Sequence, residues 1–127
     1  MEFEVNTQET GVKDLTREIE DRLDIENGIC LVHVPHTTAG ITVNENEERL
    51  LEDLESLLEE LVPGKGYLHD EIDDNAAAHL RSIILGDSVT LPVSNGNLEL
   101  GTWQSVLLVE SDGPRTRKVR LKTLTSG

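Results

Sequence analysis

Apolar and polar positions alternate over Glu2–Asn6, where Phe3 and Val5 fall between polar neighbours, and this period of two predicts a first strand. Thr10-Gly11 breaks it. Val12, Leu15, Ile19 and Leu23 then recur at spacings of three, four and four, which predicts an amphipathic helix stopped by Asn27-Gly28. Ile29–Val34 is an apolar, β-branched run bounded by Gly28 and Pro35 and reads as a buried strand. Pro35 and His36-Thr37-Thr38-Ala39-Gly40 form its exit loop, after which Ile41-Thr42-Val43 resumes the extended pattern.

Asn44 is a suitable N-cap, with Glu47 three residues on as its capping-box partner. The helix Glu45–Leu61 carries Leu50, Leu51, Leu54, Leu57, Leu58 and Leu61 on one side, and this stripe is expected to pack on the chain's own sheet. Pro63-Gly64 ends it. Asp73 and Asp74 open an Ala-rich helix as caps, and Ala76, Ala77, Leu80, Ile83 and Ile84 are expected to bury it. Ser88–Val93 reads as a strand, and Asn95-Gly96-Asn97 as a hairpin turn, because Asn-Gly favours positive φ. Leu98–Leu100 and Trp103–Glu110 continue the sheet, with Gly101 as a bulge or a close backbone approach. After the turn Asp112-Gly113-Pro114, Arg117–Thr125 closes the chain as a strand. The expected architecture is α+β, one compact domain over 1–127 with about seven strands and three helices, its second half mostly antiparallel.

Composition narrows the partners. The 127 residues hold 11 basic and 25 acidic side chains, a formal charge of −14 and a pI near 4.5. That argues against nucleic acid or an anionic membrane surface, both of which need a basic face. It leaves open a small phosphorylated metabolite held by local arginines. The single Cys30 cannot form an internal disulfide, and no signal peptide or long apolar span is seen, so a reduced, cytoplasmic, soluble protein is the expectation. With Phe3, Tyr67 and Trp103 as the only aromatics, the core must be aliphatic.

Candidate chemistry concentrates in Gly66–Gly86. His69 and Asp70 fall in a loop, while Asn75 and His79 lie four residues apart on one face of the Ala-rich helix and require polar partners there. His36, His69 and His79 are three imidazoles outside any compact zinc motif. Three ligands and an open position are what a catalytic zinc needs, although isolated histidines are more often hydrogen-bonded structural groups. His33 lies within a strand, on the face opposite His36 if alternation is strict, and is the weakest of the four. Asp70 and Glu45 are candidate general bases or carboxylates that support a neighbouring ligand, Glu45 being better explained by the helix dipole. Asn75 either satisfies local backbone or orients a ligand or His79. Arg115 and Arg117 follow a Gly-Pro turn and suit a phosphate clamp, against the alternative of surface ion pairs. Trp103 either plugs the core or, with Thr102 and Gln104, walls a pocket.

HTTAGITVNE (His36–Glu45), Tyr67-x-His69-Asp70, Asn75-x-x-x-His79-Leu80, Leu85-Gly86-x-Ser88, the run from Pro92 to Gln104 containing Gly101-Thr102-Trp103-Gln104, and Glu110-x-Asp112-Gly113-Pro114-Arg115 resemble the YjbQ family over essentially the whole chain. Gly40, inside the first motif, is expected to vary freely. The resemblance implies an α+β fold assembled as a homotrimer, with histidines clustered near a subunit boundary as a metal or anion site. Carried over by position, it points to His36, His69 and His79, with Asp70 and Asn75 alongside, and these with Arg115 are the expected catalytic residues. Thr37, Thr38, Glu45, Thr102, Gln104 and Arg117 are the expected substrate contacts, and a divalent metal, zinc, is expected at His36, His69 and His79. The implied activity is that of a secondary thiamine-phosphate synthase, which joins hydroxymethylpyrimidine diphosphate to thiazole phosphate and releases pyrophosphate, with magnesium accompanying the diphosphate. A metal ion and Arg115 would stabilise the leaving group, and a histidine free of metal would serve as general acid. Two rivals stand beside it. One is a metal-dependent hydrolase or phosphatase of a small phosphorylated metabolite. The other is a non-enzymatic metal- or ligand-binding module whose acidic helix recruits a basic partner.

Overall fold

Two antiparallel sheets frame the chain in the computed structural model, which describes residues 1–126. The elements are β1 (Glu2–Asn6), β2 (Gly11–Asp14), α1 (Thr16–Glu20), β3 (Gly28–His33), β4 (Ala39–Asn44), α2 (Glu48–Leu61), a 3-10 turn (Leu68–Glu71), α3 (Ala76–Leu85), β5 (Ser88–Ser94), β6 (Asn97–Leu98), β7 (Ser105–Glu110) and β8 (Thr116–Thr125). The larger sheet runs β1-β8-β3-β5-β6 and the smaller β2-β7-β4. Their inner faces enclose an aliphatic core in which Leu15, Ile19, Cys30, Val32, Val106, Leu108 and Val119 are fully buried. The α+β architecture agrees with expectation, and the β5–β6 hairpin turns on Asn95 and Gly96, both at positive φ (53° and 79°). No helix among the described residues is long and apolar enough to cross a membrane.

Four local expectations are corrected. The predicted helix from Val12 to Leu23 is a strand followed by a single helical turn. Val12 pairs with Val109 in β2–β7, and only Thr16–Glu20 is helical, with Ile19 four residues after the equally buried Leu15. Gly11–Asp14 holds a single apolar residue, Val12, so its own sequence sets no period, and pairing with β7 decides. The strand β3 is not buried on both faces. Cys30 and Val32 point inward while Ile29 and Leu31 are exposed. Asn44 ends β4 rather than capping α2, whose N-cap is Glu47, its carboxylate accepting from the Leu50 amide at 2.7 Å. Finally, the leucine stripe of α2 is not packed on its own sheet. Only Leu58 is buried, Leu50, Leu57 and Leu61 are exposed, and Leu51, Leu54 and Leu58 border an open cavity of about 740 Å³ facing Val12 and Val109.

The helix α3 buries its small residues instead of its large ones. Ala76, Ala77, Ala78 and Ser82 are inside, Ser82 Oγ donates to the Ala39 carbonyl at 2.8 Å, and Ile83 and Ile84 face outward. Small side chains let the helix come close to β4, and the limit is reached at Gly40. A Cβ there would stand 2.7 Å from Leu85 Cβ and 3.2 Å from the Gly86 carbonyl oxygen, so position 40 is not free to vary. This close packing sets the end of β4, and hence the preceding His36 loop, against the helix that carries His79.

Beside that loop lies a buried ion pair. Arg117 on β8 donates through Nε to Glu110 Oε1 at 2.7 Å and through Nη2 both to Glu110 Oε2 and to Thr38 Oγ1, the latter at 2.9 Å. Thr7 Oγ1 and the Asp112 amide donate to the same carboxylate at 2.6 and 2.9 Å. Burial alone would raise the Glu110 pKa, but the hydrogen bonds from Arg117, Thr7 and Asp112 outweigh it and hold the carboxyl below its usual range.

Gly40→Ala is expected to lower the unfolding free energy by about 1–3 kcal/mol in urea denaturation, because Leu85 or the α3 backbone must shift. Because folding depresses the Glu110 pKa, its stabilising contribution is complete above the unfolded carboxylate range near pH 4.5 and is lost as pH falls through the folded value. Denaturant midpoints should be level from pH 7 to about 5.5 and drop below about pH 4.5. A midpoint that rises on acidification would overturn this.

Candidate functional site

The path from β3 to β4 fixes His36 on both sides. The Val34 amide donates to the Asp87 carbonyl at 2.7 Å, the His36 amide to the Val34 carbonyl at 2.9 Å, and the Lys118 amide to His36 Nε2 at 2.8 Å. A backbone amide can only donate, so Nε2 is unprotonated and the proton of the neutral ring sits on Nδ1. Burial, and then the nearby Arg117 guanidinium, push the His36 pKa below its ordinary value and favour that neutral ring. His36 therefore offers a hydrogen-bond donor.

His69 is fixed in the opposite sense. The 3-10 turn that holds it is tied by Asp70, whose Oδ2 accepts from the Tyr67 amide at 3.2 Å and whose Oδ1 accepts from the Ala76 amide at 3.3 Å. Both oxygens of Asp70 thus serve the backbone, and the capping role expected of Asp73 and Asp74 falls to it. Asn75, at the N-cap of α3, donates through Nδ2 to Asp112 Oδ2 at 3.0 Å, and its Oδ1 lies 3.1 Å from His69 Nε2. A carboxylate only accepts, so the Asn75 amino group must face Asp112 and its carbonyl oxygen must face His69. His69 then carries its proton on Nε2 and keeps a lone pair on Nδ1. Its ring meets that of His79 edge-on, with centroids 4.8 Å apart and planes at 78°.

Arg115 closes the relay, donating through Nη2 to Asp112 Oδ2 at 3.0 Å and through Nε to the Asp112 carbonyl at 2.7 Å. Burial would raise the Asp112 pKa, but the hydrogen bonds from Asn75 and Arg115 outweigh it and hold the carboxyl below its usual range. The result is one connected series, Arg115–Asp112–Asn75–His69–His79. Asp112 was read from the sequence only as part of a turn and a motif, and its place between Arg115 and Asn75 comes from the fold.

His36 and His79 meet across a pocket of about 410 Å³, whose walls also include Thr37, Ser82, Ile83 and Asp87. Thus the fold gathers His36, Thr37 and His79 around one opening, with His69, Asn75 and Arg115 behind them. Other expected contacts lie elsewhere. Thr38 and Arg117 are buried in the ion pair with Glu110 and do not border the pocket. Glu45 and Gln104 line a separate pocket with Trp103, at the far end of β4. Ala39 pairs with Glu110 and Asn44 with Ser105, so the two ends stand five strand steps apart, about 17 Å. Thr102 lies with them in the exposed turn before β7, where the Gly101 amide donates to Gln104 Oε1 at 2.8 Å. Trp103 is 73% exposed and plugs no core.

The three histidines do not fit the zinc site expected of them. Among the described residues no three His, Cys, Asp or Glu side chains group as metal ligands. In its neutral form His36 has no free lone pair, because Nε2 accepts from Lys118 and Nδ1 bears the proton. A ring with that hydrogen bonding suits an anionic oxygen better than a metal ion. Long-range proton–nitrogen NMR is expected to show His36 as the Nδ1–H tautomer and His69 as the Nε2–H tautomer near pH 7.5. Asn75→Ala should release the preference of His69 and leave that of His36 unchanged, and a shared tautomer in the parent protein would contradict the relay.

Comparison with known proteins identifies the fold and the family. The family model described as "UPF0047 protein YjbQ-like" matches residues 1–126. The chain is 48% identical to a UPF0047 protein of Archaeoglobus fulgidus, over 98% of this chain and 100% of that one. It is 40% identical to the UPF0047 protein YugU of Bacillus subtilis, over 93% and 92% respectively. Among solved structures, the hypothetical protein APE1520 of Aeropyrum pernix superposes with a TM-score of 0.94 at 46% identity, covering 99% of this chain and 98% of that one. A protein of unknown function from Sulfolobus solfataricus also gives 0.94, at 38% identity and 99% and 96% coverage. With a match over nearly its full length in sequence and in fold, this chain belongs to the YjbQ-like UPF0047 family.

Proposed function

We propose that the histidine pocket binds a small phosphorylated metabolite and that the chain is a transferase of the secondary thiamine-phosphate synthase type. The observation that carries this reading is the Lys118 amide donating to His36 Nε2, which leaves Nδ1–H as the donor of a ring that, with His79, borders a pocket of about 410 Å³. That volume is in the range of small-molecule sites, roughly 300–1,000 Å³. In the reaction, the ring nitrogen of thiazole phosphate attacks the methylene carbon of hydroxymethylpyrimidine diphosphate. The carbon–oxygen bond breaks, and its electron pair leaves with pyrophosphate. Such a displacement needs charge stabilisation at the leaving oxygens more than it needs a protein nucleophile.

His36 supplies a donor for those oxygens, and His79 is steadied by the His69 ring, whose tautomer Asn75 and Asp112 set. Magnesium carried by the diphosphate would neutralise further charge. The formal charge of −14 is offset in part by pairing beside the site, where Glu110 is bound to Arg117 and Asp112 to Arg115, which leaves Asp87 as the carboxylate in the pocket wall. Thr37 and Ser82 add hydroxyls to the wall.

The test supplies both substrates with magnesium and follows thiamine phosphate and pyrophosphate. Wild type should form both, and His36→Ala should lose about 100-fold or more in rate if the ring acts on the leaving group. Equal rates in the two proteins would remove the synthase reading. Release of inorganic phosphate from either substrate alone, with no coupled product, would favour the hydrolase instead.

A further inference from the structure

The pocket contains one group that an anion site does not call for. Asp87, which follows α3 at the entrance to β5, lines the opening together with His36, His79 and Ile83. Its carbonyl accepts the Val34 amide at 2.7 Å, which ties its backbone to the end of β3, while its side chain, 63% exposed, has Oδ2 3.6 Å from His33 Nε2. His33 faces away from the core, and through Asp87 it still reaches the site from that side of the sheet. A carboxylate accepts hydrogen bonds and repels a neighbouring phosphate. Placed in the wall of a pocket for a phosphorylated ligand, it weakens binding unless the ligand brings it a donor.

We propose that Asp87, positioned by His33, reads a hydrogen-bond donor on the ligand, so that the pocket selects a two-ended molecule. One end is the anionic phosphate group facing His36 and His79. The other is an amino-type N–H facing Asp87. Ile83, 76% exposed at the same opening, supplies apolar contact for the body between them. Ligands with a second acid or a bare hydrocarbon at the far end are disfavoured, the first by like charge and the second by leaving Asp87 desolvated without a partner. This rests on the reading of the pocket as a phosphorylated-ligand site and adds which body that phosphate must be attached to. Asp87 and His33 are specificity and positioning residues here, and neither is needed for the donor role of His36.

The experiment compares benzylphosphonate with 4-aminobenzylphosphonate, which differ only in the far-end amine. Dissociation constants are read from the ring NMR signals of His36 and His79 in the full chain. Wild type should bind the amino compound about five- to tenfold more tightly, a difference within the reach of one hydrogen bond to a charged acceptor. Asp87→Ala should abolish that preference and bind benzylphosphonate as well as wild type or better, and Asp87→Asn should reduce it. His33→Ala should lower the preference while leaving benzylphosphonate affinity unchanged. Equal binding of the two probes to wild type, or a preference that survives in Asp87→Ala, would overturn this inference alone. If neither phosphonate moves the His36 and His79 signals, the anion-site reading falls and this inference with it.

Discussion

The Arg117–Glu110 pair is the contact on which the arrangement of the site depends. It joins β8 to β7, strands of different sheets, and its hydrogen bonds reach Thr7 after β1 and Thr38 before β4. A charged pair taken out of water is stable only when its remaining donors and acceptors are satisfied, and here the Thr7 hydroxyl and the Asp112 amide complete the carboxylate. Losing one partner would leave a buried charge, at a cost of about 3–5 kcal/mol. The pair therefore acts less as a source of net stability than as a constraint on where four chain segments meet.

From that constraint the candidate site follows. Thr38 is held by Arg117, so the His36 loop must enter β4 at a fixed height. Asp112 is held through its amide by Glu110, so its carboxylate is presented to Asn75 and Arg115. The two histidines then receive opposite tautomers from partners that have no choice of role. Lys118 contributes an amide that can only donate, and Asp112 a carboxylate that can only accept. Helix α3 completes the arrangement by approaching β4 closely at Gly40, which brings His79 to the His36 loop. His36 thus presents a fixed donor at the pocket, with the fixed lone pair of His69 behind it.

Some of this was readable from residue order. Strand β1, the β5–β6 hairpin and the Pro63-Gly64 stop are set by local pattern and turn chemistry, and they appear where alternation and Asn-Gly place them. The pairing of His69 with Asn75 and His79 was approachable, since a four-residue helical spacing and a nearby loop require polar partners. Other expectations failed for identifiable reasons. Val12 fell on a helical spacing with Leu15 and Ile19, but its pairing with Val109 of β7 placed it in a strand. Arg117 looked like a surface cation because its burial is produced by β7, Thr7 and Thr38, none of which its neighbours in sequence reveal. Glu45 shares a motif with His36 but sits at the other end of β4, beside Gln104, because adjacency within a motif says nothing about distance along a strand.

The sequence by itself determined the α+β class, most of the strands, the acidic surface and the candidate histidines, because each depends on side-chain period, charge count or local turn preference. The tertiary structure decided what those residues are. It made Asp70 a backbone cap, buried Arg117, gave His36 and His69 opposite tautomers and tied His33 to the pocket through Asp87. Each of these is set by a hydrogen-bond partner distant in sequence or by an approach of two backbones. Such contacts exist only once the sheets have closed.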